Sequence, residues 1–292
     1  MKVVITFLIL NYKSYDDTIN AVDGLLQQIG SEANNCRILV VDNCSPNDSF
    51  SILKSHYSNF RLIEIIQSPT NGGYAKGNNY GLYYMSKYDS KYVCIMNNDV
   101  YFDIKQVWKL ISIYESLSDI AIISPIQRNL EGKFVNAGWL ERIPSFWDDL
   151  KNYLFIRTPV KSYSNNCIHN GLMQVEMIPG AFFLINYSLF ESLGFFDNRT
   201  FLFGEERLLA KKIKDSGLKN YIVLDEIYKH AHSKTIDSEA SKIQQAKYIF
   251  DSIIIYTKEY SSFPVLKTSI LYVAYNIYIS LRKLSWKIKK NK

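Results

Sequence analysis

Three groups of side chains in this sequence have the types and spacing to do chemistry. The first is Asn97-Asn98-Asp99, at the end of the apolar run 92–96. An apolar run of that length, bounded by polar turn formers, predicts a buried strand of a parallel sheet. Ligands of open α/β sheets bind just beyond the carboxyl ends of the strands. Asp99 is therefore placed to hold a hard cation against a phosphate, with an ordinary Asn/Asp turn as the plain alternative. The second group is Asn71-Gly72-Gly73-Tyr74-Ala75-Lys76-Gly77-Asn78-Asn79. Glycines ahead of a helix let backbone N–H groups approach a phosphate. Asn78 and Asn79 stand where a P-loop needs Lys and Ser/Thr, so a tight strand-to-helix connection is the competing reading. The third group is Glu205-Glu206, opening a helix predicted over 205–216, and His230-Ala231-His232 beyond it. First-turn acids are stabilised by the helix dipole whatever else they do. Two histidines two residues apart share one face of a strand, and surface histidines have the same spacing.

The elements that must position these groups follow from hydrophobic periodicity. Apolar strands are predicted over 3–10, 37–41, 61–67 and 92–100, with a short one over 120–124 stopped by Pro125. Ile19, Val22, Leu25, Leu26 and Ile29 mark an amphipathic helix after the first strand, and Val107, Leu110, Ile111 and Tyr114 mark another over 104–117. Strand–helix alternation with a polar loop after each strand predicts an α/β fold, its central sheet mostly parallel and flanked by helices. The segment 127–174 is aromatic and poorly periodic, as functional or mobile segments are. A turn at Pro179-Gly180-Ala181 leads into a buried strand, and a late strand covers 221–224.

Composition narrows the classes. At 292 residues the chain can bury a large core, and 47% apolar residues is a globular content. Cys36, Cys44, Cys94 and Cys167 form no CxxC pair; Cys36 and Cys94 fall in strand-like runs and read as buried thiols in a reducing compartment. The apolar N-terminus lacks a small-residue cleavage site and reads as a first strand. The formal charge of +6 is concentrated at the end: the last eleven residues hold six basic side chains and no acidic one, leaving 28 basic against 28 acidic elsewhere. That excludes a broad nucleic-acid surface and favours a local anionic partner. A dinucleotide-dependent oxidoreductase needs GxGxxG after its first strand; this chain has Ile9-Leu10-Asn11-Tyr12.

Taken in order, several landmarks resemble glycosyltransferase family 2, with its GT-A fold, and most of all its rhamnosyltransferase-type members. They are Asn11-Tyr12, Val40-Val41-Asp42-Asn43-Cys44-Ser45, Asn71 to Asn78, Asn97-Asn98-Asp99, Pro179-Gly180-Ala181, Phe196-Asp197, Gly204-Glu205-Glu206 and His230. The resemblance covers about 3–235. It implies that Asp42 meets the nucleotide base. It places Asn11, Asn71, Gly73, Lys76, Asn97 and Asn98 along the nucleotide-sugar site. Asp99 matches the last acid of the family's DxD motif, Asn97 replaces the first, and His230 completes a site for Mg2+ or Mn2+. Glu206 matches the catalytic base, and Leu208 stands where a further Asp is often found. A nucleoside diphosphate sugar, linked to dTDP or UDP, is the implied donor. A growing surface polysaccharide or a lipid-linked glycan is the implied acceptor, and transfer by a single base inverts the anomeric carbon. The other class that fits is a nucleotide-sugar-binding module degenerate at the acids.

The resemblance divides the chain into a glycosyltransferase domain over 1–238 and a helical extension over 239–292. The first comprises a nucleotide-sugar-binding half, 1–125, and an acceptor half, 126–238. In the extension, Ile243, Ala246, Ile249, Phe250, Ile253 and Ile254 form one helix stripe, and Pro264 breaks it. The apolar segment 265–281 is at the lower limit for spanning a bilayer. With its basic tail it reads as an interfacial helix on an anionic membrane, which places the protein at the cytoplasmic face of the cell membrane. A helix–helix contact or a homodimer contact is the alternative for the same helix.

Overall fold

A computed structural model of the chain describes residues 3–133, 140–156, 168–231 and 239–290. In chain order the first half contains β1 (Val3–Asn11), α1 (Tyr15–Ile29), β2 (Cys36–Asp42), α2 (Ser49–His56), β3 (Ile63–Gln67), α3 (Gly73–Tyr84), β4 (Ser90–Asn97), β5 (Val100–Tyr101), α4 (Ile104–Ser116) and β6 (Ile120–Arg128). The second half contains α5 (Phe146–Tyr153), β7 (Ile168–His169), β8 (Leu172–Val175), β9 (Phe182–Asn186), α6 (Tyr187–Ser192), α7 (Glu205–Asp215), β10 (Lys219–His230), α8 (Glu239–Tyr260) and α9 (Pro264–Lys290).

The strands form one ten-stranded mixed sheet in the order β3-β2-β1-β4-β9-β6-β10-β8-β7, with β5 pairing β10. From β3 to β4 it is parallel, as expected. Beyond β4 it is mixed, because β9 runs antiparallel to both β4 and β6. The sheet crosses the division at residue 125 without a break: β9 of the second half sits between β4 and β6 of the first.

Side chains alternate across the strands and so split the core. Ile5, Phe7 and Ile9 of β1 pack with Val22 and Leu25 of α1 and Val107 and Leu110 of α4. Leu8 of the same strand faces the other layer, with Leu82 of α3, Phe190 of α6 and Leu209 of α7. A third cluster joins Phe146 and Tyr153 of α5, Phe250 and Ile254 of α8, and Leu271 and Ala274 of α9. The extension therefore packs on the body through α5. Cys36 and Cys94 are buried, Cys94 with its thiol pushed up by desolvation; Cys167 lies outside the described residues.

Several boundaries correct the expectations. Pro125 does not stop its strand. β6 leaves β9 at Ile123, and Ser124 Oγ donates to the Phe182 carbonyl at 2.6 Å. β10 opposes Pro125 next to a register shift, so the missing N–H costs no ladder bond to β9. The strand predicted over 221–224 runs on to His230. The irregular stretch 127–174 contains α5, β7 and β8. The segment predicted as 265–281 belongs to a 27-residue helix that Pro264 opens, consistent with proline's place in a first turn. No helix of the described residues is long and apolar enough to cross a membrane.

Candidate active site

β1, β2 and β4 end side by side, and a buried hydrogen-bond network ties their polar ends together. Asn11 Nδ2 donates to Asp42 Oδ2 at 2.8 Å, and Thr18 Oγ1 donates to Asn11 Oδ1 at 2.8 Å. Asn98 Nδ2 donates to Thr18 Oγ1 at 3.0 Å and to Ser14 Oγ at 2.9 Å. Asp42 is fully buried. Its other oxygen accepts from the Ser45 N–H at 2.9 Å and from Gln67 Nε2 at 3.1 Å. Its carboxylate thus holds the strand ends and the 43–45 turn.

The 71–79 stretch is mostly helix, because α3 starts at Gly73. Gly73 has φ +81°, and a Cβ there would stand 1.9 Å from the Phe201 carbonyl oxygen. That oxygen accepts the Tyr74 N–H at 2.7 Å. The first turn of α3 is therefore tied to the 201 loop. Gly77 and Gly81 have a packing role: a Cβ at Gly77 would strike Leu10 and Asn43, and one at Gly81 would strike Leu8 and Val41. Asn71 Oδ1 accepts from Asn43 Nδ2 at 3.0 Å and from the Gly73 N–H at 3.1 Å, which fixes the loop. Lys76 is exposed on α3.

Asp99 and His230 come together. β5 pairs antiparallel with the end of β10, Val100 opposite His230. The Ala231 N–H then reaches the Asp99 carbonyl at 3.0 Å, and His230 Nε2 lies 2.9 Å from Asp99 Oδ1. Both side chains are largely buried. Behind them, Tyr228 O–H donates to Gln127 Oε1 at 2.7 Å, which turns the Gln127 amide nitrogen to His230 Nδ1 at 3.3 Å. Gln127 was missed in the sequence because its strand seemed to end before it. His232 lies outside the described residues.

Glu206 opens α7 behind Gly204, whose φ is +89°. Gly180 N–H donates to Glu206 Oε1 at 3.2 Å, and Tyr74 O–H donates to the Gly180 carbonyl at 2.6 Å. The next carbonyl, Ala181, accepts the Asn97 N–H at 2.9 Å. The Pro179-Gly180-Ala181 turn thus links Glu206 to the turn that carries Asp99. Its partner Glu205 is 3% exposed, and its Oε2 has no hydrogen-bond partner among the described residues. Desolvation pushes both acids up, and the charge of Glu206 pushes Glu205 further. Glu205 is therefore held further toward its protonated form, while the backbone N–H groups of Gly180 and of the helix N-terminus pull Glu206 the other way.

Flanking contacts clamp this turn. Ser252 Oγ of α8 donates to the Phe203 carbonyl at 2.5 Å, and a Cβ on Gly204 would strike Ser252. Arg207 pairs with Asp149 of α5 at 3.1 and 2.8 Å, donates to the Pro144 carbonyl at 2.6 Å, and lies over the Tyr256 ring at 4.0 Å. A cavity of about 350 Å³ opens beside Glu206, walled by Met177, Asp149 and Asn152 of α5, and Ile249 and Ile253 of α8.

Among the described residues no cluster of three or more His, Cys, Asp or Glu side chains is present. One carboxylate and one imidazole, aimed at each other, suit a divalent cation that takes its remaining oxygens from donor phosphates and water.

This mixed sheet, flanked by helices on both faces, is the GT-A architecture. The fold matches a mannosyltransferase from Pyrobaculum calidifontis solved with GDP-Man and Mn2+: TM-score 0.60 and 15% identity over 96% of this chain and 70% of that one. It matches S. aureus TarS 1-349 with TM-score 0.55 and 15% identity, over 95% and 72% of the two chains. It also matches GalNAc-T7, solved with UDP, GalNAc and Mn2+, at 0.62 and 11%, over 99% and 58%. Residues 6–193 match glycosyl transferase family 2, and the chain belongs to that family. A relative in Haloferax volcanii, the low-salt glycan biosynthesis hexosyltransferase Agl10, is 27% identical over 203 residues. The match takes in 69% of this chain and spans only 59% of that relative's length.

Proposed function

We infer that the protein transfers a hexose from a nucleoside diphosphate sugar to a hydroxyl of a glycan acceptor, with inversion. The observation that carries this reading is the ordered pair of sites joined by one turn: Asp99 with His230 on one side of Gly180-Ala181, and Glu206 on the other. Rhamnose linked to dTDP or UDP is the favoured donor. The acceptor is a growing surface polysaccharide or a lipid-linked oligosaccharide, and the enzyme works at the cytoplasmic face of the membrane. Family membership and the hexosyltransferase relative support the class of reaction. The Mn2+ in two structural neighbours supports a divalent cation, Mg2+ or Mn2+. The domain over 1–238 carries the reaction, and 239–292 is its accessory extension.

In the mechanism, Asp99 and His230 would hold a divalent cation, which would neutralise charge on the leaving diphosphate. Asn11, Asp42 and Asn98 keep the strand ends rigid, so that Asn71, Gly73, Asn97 and Lys76 meet the donor on a fixed surface. The acceptor hydroxyl sits at the Glu206 side of the cavity. Its oxygen bonds to the anomeric carbon as its proton passes to the Glu206 carboxylate. The bond from that carbon to the diphosphate oxygen breaks in the same displacement, and the electron pair leaves on the nucleotide. Arg207, Ser252 and Gly180 keep Glu206 in place while this occurs.

The test is a panel of nucleotide sugars, each incubated with the full chain and Mn2+, reading nucleoside diphosphate release and binding. Turnover of one donor above the others is expected. Binding without any turnover, with or without an acceptor, means a nucleotide-sugar-binding module; no binding at all sinks the reading.

A further inference from the structure

α9 packs on the body along one face only. Thr268, Leu271 and Ala274 are buried, whereas Leu266, Ile270, Val273, Ile277, Leu281 and Leu284 are exposed. Their steps of three and four residues draw a straight apolar stripe on the outer side of the helix. From Ser280 on, every described side chain is exposed, so the last turns run beyond the protein body.

A second exposed apolar element meets this stripe. Directly after α5, the consecutive residues Leu154, Phe155 and Ile156 are 47%, 55% and 51% exposed. Phe155, just past the Leu154 C-cap of α5, has φ +58° and so ends the helix in a left-handed turn. The Phe155 ring lies 5.2 Å from that of Tyr278 in α9, and the Arg282 guanidinium lies over the same Tyr278 ring at 5.3 Å. Apolar corner, aromatic hinge and basic group are therefore contiguous. Arg282 also begins the run of six basic residues with no acid that ends the chain. Contiguous exposed apolar surface of this kind marks an interaction site. A basic rim beside it selects an anionic one.

We propose that the outer face of α9 and the 154–156 corner form a single surface that docks on an anionic phospholipid bilayer. The corner inserts below the headgroups, the α9 stripe lies along the interface, and Arg282 and Lys283 contact lipid phosphate. α5 is common to this surface and to the wall of the Glu206 cavity, through Asp149 and Asn152. Docking therefore sets that cavity beside the membrane, where a lipid-borne acceptor arrives. This last step rests on the transfer reaction inferred above; the docking itself does not.

The experiment is co-sedimentation of the full chain with vesicles of phosphatidylcholine alone and of phosphatidylcholine with phosphatidylglycerol, without donor or acceptor. Binding to the mixed vesicles is expected. Arg282→Glu with Lys283→Glu should weaken it by roughly fivefold or more for each basic residue reversed. Leu154→Ser, Phe155→Ser and Ile156→Ser together should weaken it by on the order of tenfold. Both variants alter exposed side chains, and unchanged circular dichroism confirms that they fold. Equal partitioning of wild type and variants, or none by wild type, overturns the proposal. So does a dimer in sedimentation velocity that the stripe substitution Leu281→Ser with Leu284→Ser dissociates while vesicle binding is absent. Because no sugar is present, a negative result here leaves the transfer reaction standing, and failure of the donor panel leaves the docking standing.

Discussion

His230 Nε2 and Asp99 Oδ1 face each other at 2.9 Å across two segments more than a hundred residues apart. The two-residue strand β5 brings them together by its pairing with the end of β10. Gln127 and Tyr228 hold the histidine from behind. If Asp99 and His230 are the proposed cation's protein ligands, two of them bind it weakly until phosphates complete its shell.

Calorimetry of the free protein with Mn2+ should therefore show little heat, and with nucleoside diphosphate present it should show binding. Asp99→Asn should abolish the second signal. Gln127→Leu leaves the ligands in place but releases the imidazole, and partners of this kind are worth about 10–100-fold in metal affinity. Gln127→Glu should keep most of the binding, since a carboxylate orients the ring as well. Tight Mn2+ binding without nucleotide, or no effect of Gln127→Leu, would show that the cation sits elsewhere.

Glu206 is the second element of the site, and its replacement separates chemistry from donor binding. Glu206→Gln keeps size and the bond from Gly180 but removes the proposed base. Transfer should fall by about 10²–10⁴-fold, with nucleotide affinity nearly unchanged. Burial raises the Glu206 pKa above its ordinary 4.5, so the wild-type rate should climb with pH through a carboxyl pKa above that value and then level off. The Gln variant should lose that limb. Parallel loss of nucleotide binding would mean that Glu206 is structural and that the base lies elsewhere, with Asp197 or Glu205 next to be tested.

How much of this was legible in the sequence depends on what each residue packs against. β1, β2 and β4 were readable because both faces are buried and their runs are uniformly apolar. Asp99 was readable as the acid just after such a run. Its proximity to His230 was not, because β5 has only two residues and no period to detect. α5 was hidden because Phe146 and Tyr153 bury against α8 and α9 instead of the sheet, so no sheet-facing stripe appears. Its one local signal was Ser145 with Asp148 three residues on, and those side chains do form a capping box. The glycines of 72–81 pointed to a phosphate loop, whereas Gly77 and Gly81 serve close helix–sheet contact. Spacing alone does not separate those two uses of glycine.

Gly73 and Gly24 give a stability test of that distinction. At Gly73 a methyl group meets the Phe201 carbonyl and the backbone has positive φ. Gly73→Ala should therefore cost on the order of 2–3 kcal/mol and loosen the loop that carries Asn71. Gly24 lies inside α1 with nothing within 4 Å of a Cβ, so Gly24→Ala should stabilise by up to about 1 kcal/mol. Denaturant midpoints of the two variants decide it. A neutral Gly73→Ala would mean that the 201 loop moves away at little cost.

Glu205 offers the last test, because its burial has a sign that pH can read. Its pKa is raised well above the ordinary 4.5, first by desolvation and then by the charge of Glu206. Below pH 4.5 the acid is protonated in both folded and unfolded chains and contributes no difference. As pH rises past that value the unfolded chain releases the proton while the folded one keeps it, and folding stability falls until the folded pKa is passed. Glu205→Gln has the shape of the protonated acid and no proton to lose. It should therefore unfold at a higher denaturant midpoint than wild type at pH 8, with the gap closing toward pH 4.5. Its fold should be intact, since Oε2 has no hydrogen-bond partner among the described residues to lose. Transfer should persist, because the proposed base Glu206 is left unchanged. Midpoints measured across that pH range, with transfer rates alongside, decide the point. A Gln variant less stable than wild type at pH 8 would mean that Glu205 is ionised in the folded protein and that the two acids exchange the roles assigned to them here.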